Sequence, residues 1–253
     1  MSTRSAKQII YGAFFLIILG AIFTWVYFLY LEPVESCFDG ILNQNEQGID
    51  CGGVCANACL PVGLKALQTV DRVLTFRPTS SNLSILARVS NPNLDHAAKS
   101  FRYTFSLSDP TGKVVATFSG NSFLYAREVK YILLPNVPTP AEAFTSVSFK
   151  AQNAEWVVRD EFPGPPTLTV SGLDTRVEGN NLIVEGRVTN GDILAFSELR
   201  VIALFQGQFG QLAGASETII DRIVPNETKS FSIIYPAIPN ADLAGTKVFV
   251  YAR

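Results

Sequence analysis

The chain has 253 residues, a net charge of −2, one histidine and four cysteines. That charge lacks the broad basic footprint of a nucleic-acid binder, and a single histidine leaves little room for His-metal clusters or Ser-His-Asp catalysis. The composition points to a non-enzymatic protein.

Residues 9–31 carry no charged side chain. As a helix rising 1.5 Å per residue, this stretch reaches roughly 34 Å, enough to cross a bilayer's hydrocarbon core with some tilt. Arg4 and Lys7 precede it, and Glu32 and Glu35 follow it. Positive charge stays on the cytoplasmic side, so residues 1–8 are expected as a cytoplasmic tail, 9–31 as a transmembrane helix, and everything after Glu32 outside the cytoplasmic membrane. Tyr11, Trp25, Tyr27 and Tyr30 are candidate membrane-interface residues, because amphipathic rings favour the headgroup layer, and Pro33 can end the helix. A cleaved signal peptide competes with this reading, but its apolar core spans about 7–15 residues before a small-x-small site. Here the run is longer and ends Leu-Tyr-Leu-Glu-Pro. Gly20 and Thr24 form a small-xxx-small pair of the kind that lets helices approach closely.

All four cysteines fall between Cys37 and Cys59. Clustered just outside a membrane span, they predict a disulfide-stapled module over residues 32–60 in an oxidising compartment. So short a segment cannot bury a core, and two disulfides supply the order that burial cannot. Three pairings are possible; crossed staples, Cys37 with Cys55 and Cys51 with Cys59, would constrain the Gly-rich turn from both sides. Zinc is the rival reading, but the spacing C-x13-C-x3-C-x3-C lacks the C-x2-C knuckles of common zinc folds. No C-x-x-C redox motif is present.

Between the first two cysteines lie Asp39, Asn43, Asn45, Glu46 and Asp50, interleaved with Gly40 and Gly48. Oxygen ligands on a glycine-bearing loop suit a calcium ion, with Asp39, Asn43, Glu46 and Asp50 as candidate ligands. The same residues are also the ones that make turns, and both readings stand at this point. The run C-x-D-G-x2-N-x2-E-x-G-x-D-C-G-G-x-C resembles the short Cys-rich "DCGG" element of exported and cell-surface proteins, which implies an exported setting and a structural role.

After Pro61 the texture changes to short alternating apolar runs separated by Asn, Gly, Pro and Ser, which predicts antiparallel β structure. The chain also repeats. Leu86-Ala-Arg88-Val89-Ser90-Asn91 matches Glu185-Gly-Arg187-Val188-Thr189-Asn190, and Pro135-Asn-Val137-Pro138 matches Pro236-Ala-Ile238-Pro239. Near-constant offsets imply two copies of one domain. Each holds about seven strands, the density of an immunoglobulin-like sandwich. The first copy is expected over 61–153, with strands near 71–76, 83–90, 101–108, 114–119, 125–133 and 146–152. A linker over 154–166 and a second sandwich over 167–253 follow, with strands near 168–173, 181–189, 199–206, 213–220, 228–235 and 246–252. Leu182, Val184, Gly186 and Val188 share one strand face. The fold class is therefore mainly β: one transmembrane helix, a small disulfide-rich module and two tandem immunoglobulin-like sandwiches.

These repeats resemble the FxLYD-type and late-embryogenesis-abundant (water-stress) β-sandwich families. The shared features are a strand ending x-G-x-V-x-N, the segment Phe105-Ser-Leu107-Ser-Asp109-Pro-Thr-Gly112, and a strand entered as in Ile220-Asp-Arg-Ile223-Val-Pro225-Asn-Glu227. The first copy departs with Ala87 where the second has Gly186. The resemblance implies an extracytoplasmic binding or spacer module with no catalytic residues to transfer. In the linker, Pro163, Pro165 and Pro166 favour an extended connector, and Trp156 and Phe162 are expected in the interdomain joint. His96 is expected in a surface loop.

Two functions fit. One is a membrane-anchored interaction or scaffold protein presenting two sandwiches at the cell envelope. The other is an accessory subunit of a larger membrane complex, docked on an exported enzyme, pore or filament. The expected partners are the lipid bilayer and an envelope protein, with homo- or hetero-oligomers open and no nucleic acid. Calcium is the one cofactor considered.

Overall fold

Residues 9–30 of the uncharged run lie within helix α1, Thr3–Tyr30, whose first turns also include Arg4 and Lys7. Within it, Ile10–Phe28 is a 19-residue apolar stretch of mean hydropathy 2.0, none of it buried. Apolar side chains on every side leave no polar face to turn to water. The hydroxyl of Thr24 donates to the Gly20 carbonyl at 2.8 Å, so its polarity is satisfied within the helix. The structure, a computed structural model, describes residues 3–30, 36–55, 59, 63–139, 143–162 and 164–252. Glu32, Pro33 and Glu35, with the expected helix stop, lie outside the described residues, as do Pro61 and Pro163; so do the side chains of Arg4 and Tyr30. The chain divides into two units, Met1–Cys59 and Leu60–Arg253.

The second unit is built of antiparallel strands: β1 (Gln68–Thr69), β2 (Leu74–Phe76), β3 (Asn82–Ser90), β4 (His96–Ser108), β5 (Val114–Leu124), β6 (Val129–Pro138), β7 (Ser146–Val158), β8 (Leu168–Glu178), β9 (Asn181–Asn190), β10 (Phe196–Gln206), β11 (Leu212–Ile223), β12 (Thr228–Pro236) and β13 (Asp242–Ala252). In the first copy β3 pairs with β1, β2 and β6, and β4 lies between β5 and β7. In the second, β9 lies between β8 and β12, and β10 between β11 and β13. The wiring from β3 to β7 is thus repeated from β9 to β13.

The repeat extends to individual hydrogen bonds. Asn91 and Asn190, each at the foot of the matched strand, are fully buried. Asn91 Nδ2 donates to the carbonyls of His96 and Tyr125, and its Oδ1 accepts from Asn93 N. Asn190 Nδ2 donates to Leu194 O, and its Oδ1 accepts from Asp192 N. On the facing turn, Glu128 Oε2 accepts from Tyr125 N and Glu227 Oε2 from Val224 N, both at 2.8 Å. Arg127 and Asn226 share a φ of 62° there. This turn takes up the first residues of the strand expected at 125–133, so β6 begins only at Val129 and runs on to Pro138. At the other side of the sheet, β4 begins five residues before Phe101: His96 opens the strand opposite Val158 rather than sitting in a loop.

Each copy has its own core. Leu83, Ile85, Ala87 and Val89 of β3 meet Phe101, Phe105 and Leu107 of β4, and Leu182, Val184 and Val188 of β9 meet Leu199, Val201, Ala203 and Phe205 of β10. A third apolar layer joins the copies. Phe76, Leu86 and Leu133 of the first pack with Ile202, Leu204 and Ala215 of the second, flanked by Leu74, Tyr131, Leu212, Phe249 and Tyr251. The two sandwiches therefore stack through the outer faces of the β3 and β10 sheets, giving four sheets separated by three apolar layers. Trp156 lies in β7 opposite Ala98 and packs on the first core rather than in this joint. Phe162 packs against Tyr125 in a tilted arrangement, with ring centroids 5.3 Å apart.

Candidate functional site

In the first unit the four cysteines form the crossed pairs, Cys37–Cys55 with Cα atoms 5.6 Å apart and Cys51–Cys59 at 4.9 Å. No thiolate remains for zinc. The chain between them turns through left-handed residues at Gln44, Asn45, Asp50, Gly52 and Gly53. At Gly53 a Cβ would stand 2.0 Å from the Asn45 carbonyl oxygen, so only glycine closes this turn.

The carboxylates of the loop are engaged with backbone amides. Asp50 accepts from the N–H groups of Asp39 and Gly40, and Glu46 Oε2 from those of Asn43 and Asp50. Asp39 accepts from Ser36 N, Ile41 N and Asn43 Nδ2. The Asn43 amide first, then the Ser36 and Ile41 amides, hold the Asp39 carboxyl below its usual range. This is the turn-forming use of acidic residues. A calcium ion would compete with those amides for the same oxygens, although the Oδ1 of Asn43 is buried with no hydrogen-bond partner among the described residues. Among the described residues, the one group of ligand-type atoms within 4.8 Å of one another is Cys37, Glu46 and Cys55, whose sulfurs are bonded to each other.

On α1, Tyr11, Trp25 and Tyr27 have exposed side chains. The helix therefore offers its amphipathic rings and its apolar surface together to the surroundings.

In the second unit the stacking of the sandwiches gathers charge and aromatic rings along one groove of about 130 Å³, lined among others by Tyr103, Lys130, Tyr131, Glu198, Arg200 and Tyr251. Tyr251 Oη accepts from Tyr131 N at 3.0 Å, capping an amide on the edge of β6, and the Tyr131 and Phe249 rings lie 4.8 Å apart. The Lys130 ammonium sits 3.5 Å from the Phe123 ring centroid and 5.0 Å from that of Tyr251, a cation–π arrangement. Arg200 pairs with Glu217 at 2.7 Å across β10 and β11. Burial pushes the Glu217 carboxyl up, against the pull of Arg200, and burial pushes Glu128 up against Lys130. The hydroxyls of Tyr103 and Tyr251 are raised by burial too, and that of Tyr125 is pushed up to about 12 by burial and by Glu128. Arg200 is thus held by Glu217 and Glu198, and Lys130 by two aromatic rings, at the seam between the sandwiches.

Sequence reasoning expected a joint at Trp156 and Phe162 and missed the faces that form it, yet they left a signal. Val201-Ile-Ala-Leu-Phe205 is an unbroken apolar run in which every residue is buried, where a strand with one wet face would alternate. Odd positions fill the core of the second copy and even positions fill the joint.

No protein-family model matches the chain, and no curated protein sequence does. Among solved structures, a red sea bream transglutaminase is similar over 72% of this chain and 31% of its own, at 10% identity and a TM-score of 0.20. The chain spans about a third of that protein, and at this score the likeness says nothing of activity.

Proposed function

We propose that the chain is a membrane-anchored interaction or scaffold protein of the cell envelope. α1 spans the bilayer with residues 1–8 in the cytoplasm, and the cystine module and both sandwiches stand outside. The observation that carries this reading is the apolar stretch Ile10–Phe28, none of it buried, followed directly by a module closed by two disulfides. The first calls for lipid and the second for an oxidising compartment. The reading assigns no reaction to the chain. The FxLYD-like and water-stress-like repeats and the DCGG-like element belong to the same proposal.

A second reading makes the chain an accessory subunit of a larger membrane complex. It is favoured by the Gly20–Thr24 step, whose hydroxyl is turned onto its own backbone, leaving a small surface for close helix approach. Purification of the full chain in mild detergent separates the two. A lone protomer or homo-oligomer supports the scaffold, and a stoichiometric partner supports the subunit. Recovery without detergent, in soluble form, contradicts both.

A further inference from the structure

The cystine module is turned inside out relative to an ordinary domain. Its carboxylates point to its own amides, as described above, while its large apolar side chains face outward. Phe38 is 79% exposed, Ile41 57%, Leu42 60%, Ile49 61% and Val54 64%. Four of the five, Phe38, Ile41, Ile49 and Val54, adjoin the residues whose bonds close the module. Phe38 and Val54 are the chain neighbours of the disulfide-bonded Cys37 and Cys55. Ile49 precedes Asp50, whose carboxylate binds the amides of Asp39 and Gly40, and Phe38 and Ile41 flank those two residues.

We propose that this module seats in the interfacial layer of the bilayer, with these apolar side chains in contact with lipid. The inference rests on the membrane-anchor reading above. Chain length limits where the module can go: Ser36 follows Phe28, the end of the apolar stretch, by eight residues, and eight residues span at most about 29 Å. The module is therefore held at the surface through which α1 emerges. Its chemistry selects the occupant. Residues 36–59 contain no Lys or Arg, so an anionic surface offers no attraction, whereas the boundary of a zwitterionic bilayer accepts exposed Phe, Ile, Leu and Val by apolar burial alone. Seating it there removes a surface that the module is too small to bury itself.

The test uses the full-length chain reconstituted in phosphatidylcholine vesicles that carry a nitroxide near the headgroup end of the acyl chain. One protein, Trp156→Phe, keeps the native Trp25 as its fluorophore; a second, with Trp25→Phe and Trp156→Phe, carries the probe Phe38→Trp. A third with Val54→Trp in the same background guards against a misfolded first probe, and absence of free thiols shows that both disulfides have formed. The labelled lipid is expected to quench Trp25 and both module probes strongly, while aqueous iodide quenches the module probes weakly. Module probes that ignore the labelled lipid while Trp25 is quenched overturn the inference and leave the anchor standing, whether iodide reaches them or a protein surface shields them. If Trp25 ignores the lipid as well, the anchor reading fails and the inference with it.

Discussion

The pairing of Gly186 with Phe231 tests whether the two copies are alternative packings of one core. In β9 and β12 these residues face each other directly, and a Cβ at Gly186 would meet Phe231 Cζ at 2.7 Å and Cε1 at 2.9 Å. In the first copy the corresponding cross-strand pair is Ala87 with Ile132. The added methyl is thus accommodated there by a smaller partner. Gly186→Ala forces a buried ring aside, an overpacking that costs about 1–3 kcal/mol, partly offset by about 0.4–1 kcal/mol from the reduced freedom of the unfolded chain. Phe231→Ile alone leaves a void and costs about 1–3 kcal/mol. Together the two changes recreate the first copy's pair, and their combined cost should fall short of the sum by about 1 kcal/mol or more. Thermal unfolding of the full chain in detergent, followed by circular dichroism, reads this as a drop of about 2–4 °C per kcal/mol for each single variant and partial recovery in the double. Additive losses, or a Gly186→Ala protein as stable as the parent, would refute the packing argument.

Other outcomes follow from the joint and the module. Tyr251→Phe removes the acceptor of Tyr131 N–H and should lower stability by about 1–3 kcal/mol in the same melts, because it orphans a covered amide. Burial raises the Glu217 carboxyl above its ordinary value, so the folded state binds that proton more tightly than the unfolded state. Stability from this group should therefore rise as pH falls from neutrality towards the ordinary glutamate value, and Glu217→Gln should flatten that part of the pH profile. Asp39 is held low, so its contribution is present above the ordinary aspartate value and lost as pH falls through its lowered one. A phosphine reductant, which attacks without a thiolate and so keeps its reactivity in acid, should then open the disulfides more readily in acid, as monitored by mass after alkylation. Because Asp39, Glu46 and Asp50 serve as amide acceptors, millimolar calcium should leave that opening unchanged and Asp50→Ala should hasten it; protection by calcium would show the loop reorganised around an ion.

Much of this architecture is legible in the sequence because its signals are local. The uncharged run of α1, the clustering of Cys37 to Cys59, and the alternation of Leu182, Val184 and Val188 each report on the segment that carries them. The repeat is legible because Asn91 and Asn190 perform the same latch. The joint is not, because it depends on which outer faces meet. Leu86, Leu133, Ile202 and Leu204 read as ordinary strand residues until the β3 and β10 sheets are stacked. Trp156 misleads for a related reason. Tryptophan favours interfaces in general, but β7 continues through Val158 and carries this ring into the first core, with its Nε1 buried and unpartnered among the described residues. The loop carboxylates allow ion binding and turn formation alike, and the choice lies in where backbone amides point, which composition does not encode.

The account depends most on the side of the membrane where the sandwiches stand. Proteinase added to intact spheroplasts carrying the full chain, with epitopes placed before Arg4 and after Arg253, reads this directly. The account predicts loss of the C-terminal epitope and survival of a protected fragment bearing the N-terminal epitope and α1. A C-terminal epitope that resists the protease until the membrane is permeabilised would contradict it.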